Sequence, residues 1–391
     1  MYKLQNFNNE QFLKHYWQQK PLVIKQGFKN FIDPVDEHLL AGLTEEDEVD
    51  SRIVSCDNQK WQVTHGPFDD INQHLLGAWS LLVQSVDHYL PEADQLMRAF
   101  DFIPYWRMDD LMVSYSNAQA GVGPHLDQYD VFIIQGKGTR RWQVGLPADF
   151  QKTQPHCDLS QITGFEPVID EVLSAGDILY IPPNHPHNGV ALEECLNYSV
   201  GFRAPTTQEL LSSFADHAID NNMLTNRYSD KEISTRQYSG EIKQQELAAF
   251  KAMLQDALQS DQLEQWLPNF MSQSKVLAQS HLVQDSVTPE QITEELKLGS
   301  VFVRAPGIKP VFIEQKAEQD VVQSDTFRFY IEGQQFSVVN SSVANNEAKL
   351  VKNFLCNPKF NDSVENNAYK RLFFTQLLST LVNSGFWYID E

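Results

Sequence analysis

Cysteine is scarce and unpaired in this chain. Cys56, Cys157, Cys195 and Cys356 lie far apart, and no CxxC occurs. That spacing argues against a disulfide framework or a thiolate zinc site and suits a reducing compartment. Long apolar runs are missing as well. Nothing approaches the ~20 residues that a membrane-spanning helix needs, and the opening MYKLQNFNNEQF lacks the basic-then-apolar layout of a secretory leader. The expected setting is cytoplasmic, with no membrane partner. Basic charge is the third shortage: 30 Lys and Arg face 52 Asp and Glu, for a formal net charge of −22. An acidic surface repels nucleic-acid phosphate and attracts basic partners, so a Lys/Arg-rich polypeptide is expected and DNA is not. Repeats and low-complexity tracts are absent. What remains is 42% hydrophobic and 11% aromatic, a globular composition, and 391 residues are too many for one ordinary core.

The chemistry concentrates in two stretches, GVGPHLDQYDVFIIQGKGTRRW from Gly121 and GDILYIPPNHPHNG from Gly176. Together they offer His125, Asp127 and a distal His187, the ligand types of a 2-His-1-carboxylate facial triad, which holds Fe(II) on one face and leaves the other open. A bare His-x-acid triplet is weak, since chance alone supplies roughly 1.5 in a chain of this composition. The chain has two, His125-Leu126-Asp127 and His156-Cys157-Asp158. Context separates them. His125 leads into the β-branched and aromatic run Asp130–Gln135, bounded by Gly136 and Gly138, whereas His156 sits in polar QKTQPHCDLSQ and reads as loop. The distal stretch reads as a turn at Ala175-Gly176-Asp177, a short strand Ile178–Ile181, a double-proline stop, and then a further strand Cys195–Phe202.

Arg140 and Arg141 follow on the next expected strand. Successive strand side chains point to opposite faces, so one of the two enters the interior. An inward arginine requires an anion, because an unpaired buried charge is costly. A planar guanidinium matches a carboxylate bidentately.

These residues resemble the JmjC-type 2-oxoglutarate oxygenases. The resemblance assigns Arg140 to the cosubstrate's distal carboxylate. It also picks His187 over His185, because the family's distal ligand lies eleven residues after the glycine. Asn197, and with less support Ser114, match polar positions that face the cosubstrate. The phrase Phe12–Ile24, FLKHYWQQKPLVI, together with SYSNAQAGVGPHLDQYDVFIIQGKGTRRW, narrows the resemblance to bacterial ribosomal oxygenases of the YcfD/RoxA type. It implies Fe(II), 2-oxoglutarate and O2 as cofactor and cosubstrates, and hydroxylation of an arginine in large-subunit ribosomal protein sixteen. The implied fold is α+β. A JmjC/cupin-like double-stranded β-helix barrel over 1–206 precedes a helical dimerisation segment over 207–272 and a winged-helix-like domain over 273–391.

The residues after 206 fit that layout without requiring it. Helical spacing appears over Gln208–Asp220 and again over Glu241–Leu267, where Leu247, Phe250, Leu254, Ala257 and Leu258 form an apolar stripe. Such a stripe packs on the barrel or pairs with a second copy, and the resemblance favours a homodimer. Thr288-Pro289 opens a helix, Val301–Arg304 reads as a strand, Phe327–Val339 as a hairpin about Glu332-Gly333, and Tyr369–Val382 as a helix before Phe386–Ile389. Residues 271–391 carry 11 Lys and Arg against 14 Asp and Glu, so a basic DNA-reading stripe is not expected there. Three rival readings stay open at this stage: a lysine demethylase built on the same triad, a cupin metal protein without 2-oxoglutarate chemistry, in which Arg140 has no role, and a non-enzymatic binding module, which would tolerate loss of His187.

Overall fold

The computed structural model describes residues 2–231, 233–274, 286–313, 326–339, 345–361 and 371–390. They group into two compact units. One comprises Met1–Arg203, Ser274–Lys309 and Ser342–Glu391; the other comprises Ala204–Gln273 and Pro310–Ser341.

The first unit is built around two sheets. In chain order its strands are β1 Leu22–Ile24, β2 Ser51–Asp57, β3 Lys60–His65, β4 Ala78–Val83, β5 Met108–Ser116, β6 Asp130–Gln135, β7 Arg140–Gly145, β8 Gln151–His156, β9 Leu159–Thr163, β10 Pro167–Leu173, β11 Ile178–Ile181, β12 His187–Ala191 and β13 Cys195–Phe202. The large sheet runs β1-β11-β6-β13-β5-β4-β2-β3, the facing one β10-β7-β12, and β8 pairs only with β9. This is the JmjC/cupin-like barrel expected from the sequence.

Period-two alternation explains why the central strands read as unbroken apolar runs. On β6, Phe132 and Ile134 enter a large cluster with Phe12, Phe100, Tyr180 and Tyr198, while Val131 and Ile133 join Trp142, Val144, Leu179 and Ile181. All six β6 residues are consequently buried. The same alternation on β5 and β13 sends Leu111, Val113, Tyr198 and Val200 into the large cluster. Ser114 and Asn197 are left to face the opposite side, toward the interior cavity. The phrase at residues 12–24 supplies Phe12 to this core and β1 to the sheet edge, where Leu22 pairs with Tyr180.

Residues 151–163 depart from the sequence reading. His156 ends a strand, not a loop, and β8 with β9 forms a hairpin. The strand was invisible to pattern reading because it is solvated on both faces and shows no apolar alternation.

Further along the first unit, the helix Pro289–Leu298 starts at Thr288 with a capping box to Gln291 and ends at Gly299 with φ +85°. The strand β14 Val301–Arg304 pairs with Lys359–Phe360 and with Trp387–Asp390. Helix Leu372–Asn383 packs on Pro289–Leu298; Tyr369 and Lys370, expected in its first turn, lie outside the described residues. A helix over Asn345–Cys356 was not anticipated. Its Val351, Phe354 and Leu355 are buried, with Phe354 stacked on Trp387 at 4.7 Å between centroids.

The second unit holds helices Thr207–Asp220, Gln244–Leu258 and Asp261–Met271 and a three-stranded sheet whose hairpin is Thr326–Ile331 and Gln334–Val339. Glu332 (φ +48°) and Gly333 (φ +72°) make its two-residue turn. The helix expected over 241–267 is two helices. Ser260 separates them, its hydroxyl donating to the Ala257 carbonyl at 2.7 Å. Phe214 and Trp266 pack the first and third helices together, with centroids 5.3 Å apart. Gln244–Leu258 buries nothing within the chain. No described helix is long and apolar enough to cross a membrane.

Candidate active site

His125, Asp127 and His187 converge between the two sheets. One ligand atom from each lies within 4.8 Å of the others. Their approach follows from the backbone. His125 and His187 form an antiparallel bridge, with N–H to C=O distances of 3.0 and 3.1 Å in the two directions. The Asp127 carbonyl accepts from the Asn184 amide at 2.8 Å, tying the triplet's loop to the turn before β12. The turn entering His125 depends on Gly123, whose φ of +80° L side chains rarely adopt.

Both imidazoles are oriented for ligation. His125 donates through Nδ1 to the Gly123 carbonyl at 2.9 Å, and His187 through Nδ1 to the His185 carbonyl at 3.0 Å. Each bond fixes the tautomer, so the unprotonated Nε2 faces the Asp127 carboxylate, at 3.9 Å from His125 and 3.5 Å from His187. Burial, with His125 adding to it and Asp127 opposing, pushes His187 down to about 4. The ring is therefore neutral near pH 7, as a metal ligand must be. His185 is also buried, but its Nδ1 meets the Pro183 carbonyl at 3.1 Å, and it is not part of the converging group.

These residues line a cavity of about 300 Å³. Arg140 projects into it and is 4% exposed, while Arg141 points outward and pairs with Asp170 at 2.6 Å. The strand thus resolves the choice between the two arginines. Inside, Arg140 has only long contacts, 3.4 Å to Asn197 Oδ1 and 3.5 Å to the Gly189 carbonyl, and its Nε has no partner. Its guanidinium also lies 5.4 Å from the Trp142 ring centroid. Burial holds its pKa below the ordinary guanidinium value. A buried cation left this way calls for an anion. Ser114 and Asn197 are register partners on β5 and β13, which sets both on the large-sheet wall of the cavity, facing Arg140. Gly189 is required there because a Cβ would strike the Trp142 ring at 2.7 Å.

An iron and a dicarboxylate fit this donor set. The triad supplies two neutral nitrogens and a carboxylate, which suit a borderline divalent ion. Arg140 supplies the unmatched charge for a carboxylate deeper in the cavity.

Sequence reading did not find the rest of the lining, including Arg52, Gln84, Asp110, Met112 and Tyr129. All but Tyr129 come from strands or strand ends outside the motif, and no spacing links them to it. Tyr129 is held protonated, chiefly by burial and then by Asp127 and Asp110.

Residues 95–210 match the JmjC domain, which defines the class of fold and site. Ribosomal protein uL16 3-hydroxylase from Escherichia coli K12 is 42% identical over 384 residues, covering 97% of both chains. The crystal structure of E. coli YcfD covers 100% of both chains at 42% identity and a TM-score of 0.87. YcfD, a ribosomal oxygenase from E. coli, in complex with cobalt and 2-oxoglutarate, covers 100% of both at 41% identity and a TM-score of 0.84. The chain belongs to the family of JmjC-domain ribosomal oxygenases.

Proposed function

We propose that this protein is a 2-oxoglutarate- and Fe(II)-dependent hydroxylase of an arginine side chain in large-subunit ribosomal protein sixteen. One observation carries the reading: a His-Asp-His triad and a buried arginine without an anion share one cavity. The chain that holds them matches a uL16 3-hydroxylase over nearly its whole length. His125, Asp127 and His187 hold the iron, and Arg140 pairs with the distal carboxylate of 2-oxoglutarate beside Asn197 and Ser114. The bound iron, with 2-oxoglutarate and O2, supplies the oxidising power to hydroxylate an unactivated C–H bond. The protein orients the ligands through the Gly123 and His185 carbonyls and lines the inner cavity with Val131, Ile133 and Trp142, which exclude water. The net charge of −22 favours a basic ribosomal protein as substrate and disfavours nucleic acid. Work on such a substrate supports a cytoplasmic location.

Residues 207–272 serve as the dimerisation segment in this reading. Leu247, Phe250, Leu254 and Leu258 are 41–68% exposed on one helix, a patch that a second copy covers. Residues 273–391 act as a winged-helix-like protein-contact module. Succinate release that requires both Fe(II) and 2-oxoglutarate, and rises when large-subunit ribosomal proteins are added, tests the assignment. Release unaffected by those proteins counts against it.

A further inference from the structure

The second His-x-acid triplet has geometry of its own. We propose that His156, Cys157 and Asp158 form a second metal site for a borderline divalent ion such as zinc, with solvent as the fourth ligand. The site lies at the tip of the β8–β9 hairpin, and none of its donors belongs to the His125–Asp127–His187 group.

Register pairs His156 with Leu159, so Cys157 and Asp158 are the two residues of a tight turn. Reversal of the chain at that point brings three consecutive side chains onto one spot. Among the described residues, this is the other group whose ligand atoms all lie within 4.8 Å. Cys157 Sγ is 3.5 Å from His156 Nδ1 and 3.4 Å from Asp158 Oδ2, and Nδ1 is 3.6 Å from the same oxygen. From β3, His65 Nε2 reaches that oxygen at 3.4 Å. A tetrahedral ion with bonds of about 2.0–2.1 Å to nitrogen and oxygen and about 2.3 Å to sulfur spaces its ligands about 3.3–3.6 Å apart. The observed separations fall in that range before any ion is present.

The protonation states suit ligation too. The Asp158 amide donates to His156 Nδ1 at 3.2 Å, so that nitrogen is unprotonated and its lone pair is held by a backbone N–H. A metal takes over that lone pair and displaces the thiol proton to solvent. Hydrogen bonds from Cys157 and then His65 hold the Asp158 carboxyl below its ordinary value. An imidazole, a thiolate and a carboxylate favour zinc over magnesium or calcium, which prefer all-oxygen shells. Widely spaced cysteines therefore rule out a paired-thiolate site but not this mixed one.

Cobalt(II) distinguishes the two sites, because only this one offers sulfur. The full chain, kept reduced with a phosphine, is titrated with cobalt(II) and its absorption recorded. The expected result is a near-ultraviolet sulfur-to-cobalt charge-transfer band with visible bands of a four-coordinate ion, saturating by two equivalents in the unaltered protein and by one in His187→Ala. These persist in His187→Ala and in Cys56→Ser and vanish in Cys157→Ser, whose position is exposed and tolerates the change. His156→Ala lowers the cobalt affinity at least tenfold. Absence of a sulfur band in the unaltered protein, or its survival in Cys157→Ser, overturns the site. Unchanged affinity in His156→Ala overturns the assignment of its donors.

Discussion

Replacing Arg140 by methionine separates cosubstrate binding from fold stability. In the protein without ligands, Arg140 is a buried charge with an unpartnered Nε and no hydrogen bond shorter than 3.4 Å. A flexible apolar side chain of similar length removes that uncompensated charge, so stability without cosubstrate stays level or rises. With cosubstrate the balance reverses. Breaking a buried, hydrogen-bonded charge pair costs about 3–5 kcal/mol, a factor of more than a hundred in affinity. The assay is chemical denaturation with an inert divalent metal in the iron site, with and without 2-oxoglutarate. At a hundredfold excess over its Kd a ligand stabilises by about 2.7 kcal/mol, and a hundredfold weaker ligand at the same concentration by only about 0.4 kcal/mol. Arg140→Met should show that collapse. Arg141→Met should not, because Arg141 is half exposed in a surface ion pair worth about 0–1 kcal/mol. Full 2-oxoglutarate stabilisation in Arg140→Met, or its loss in Arg141→Met, refutes the assignment of the inward arginine.

Other consequences follow from the same geometry. His125→Ala and His187→Ala should each abolish stoichiometric iron binding by calorimetry, while His185→Ala keeps it at some cost in stability. The His88 and His187 pKa values are both depressed from 6.5 by burial, His187 to about 4. A depressed folded pKa means stability that is present above 6.5 and lost as pH falls through the folded value. Metal-free protein should therefore weaken steadily between about pH 6.5 and 4 in denaturant titrations, with a shallower slope in His88→Gln. Lys309 meets the fully buried Asp87 at 3.2 Å, and Lys309→Met should cost about 3–5 kcal/mol at neutral pH by leaving that carboxylate unpaired. Phe250→Asp with Leu254→Asp should convert a sedimenting dimer to a folded monomer; a surviving dimer places the interface elsewhere.

Much of the site was legible in the sequence because regular strands frame it, although His125 and Asp127 themselves lie on the loop before β6. β11, β13 and β14 begin and end where apolar runs and Gly or Pro boundaries place them, and Gly176 and Pro182 mark the distal stretch. Alternation predicted that one of Arg140 and Arg141 turns inward, and the structure buries Arg140. Legibility failed where solvent touches both faces. β8 has no buried side to impose a period, so His156 read as loop, although its partner β9 buries Leu159 and Ile162. The break at Ser260 was missed because the apolar stripe continues through it, although the helix does not. Contributions to the cavity from β2 and β4, such as Arg52 and Leu82, depend on sheet order, which a linear pattern does not carry.

The central claim is tested most directly by the product. Purified protein is incubated with Fe(II), 2-oxoglutarate and unmodified large-subunit ribosomal proteins, and the digested proteins are analysed by tandem mass spectrometry. The expected result is one added oxygen on an arginine of ribosomal protein sixteen, absent without 2-oxoglutarate and absent with the His187→Ala protein. Loss of a methyl group from lysine, or 2-oxoglutarate consumption that leaves every ribosomal protein unchanged in mass, contradicts the account.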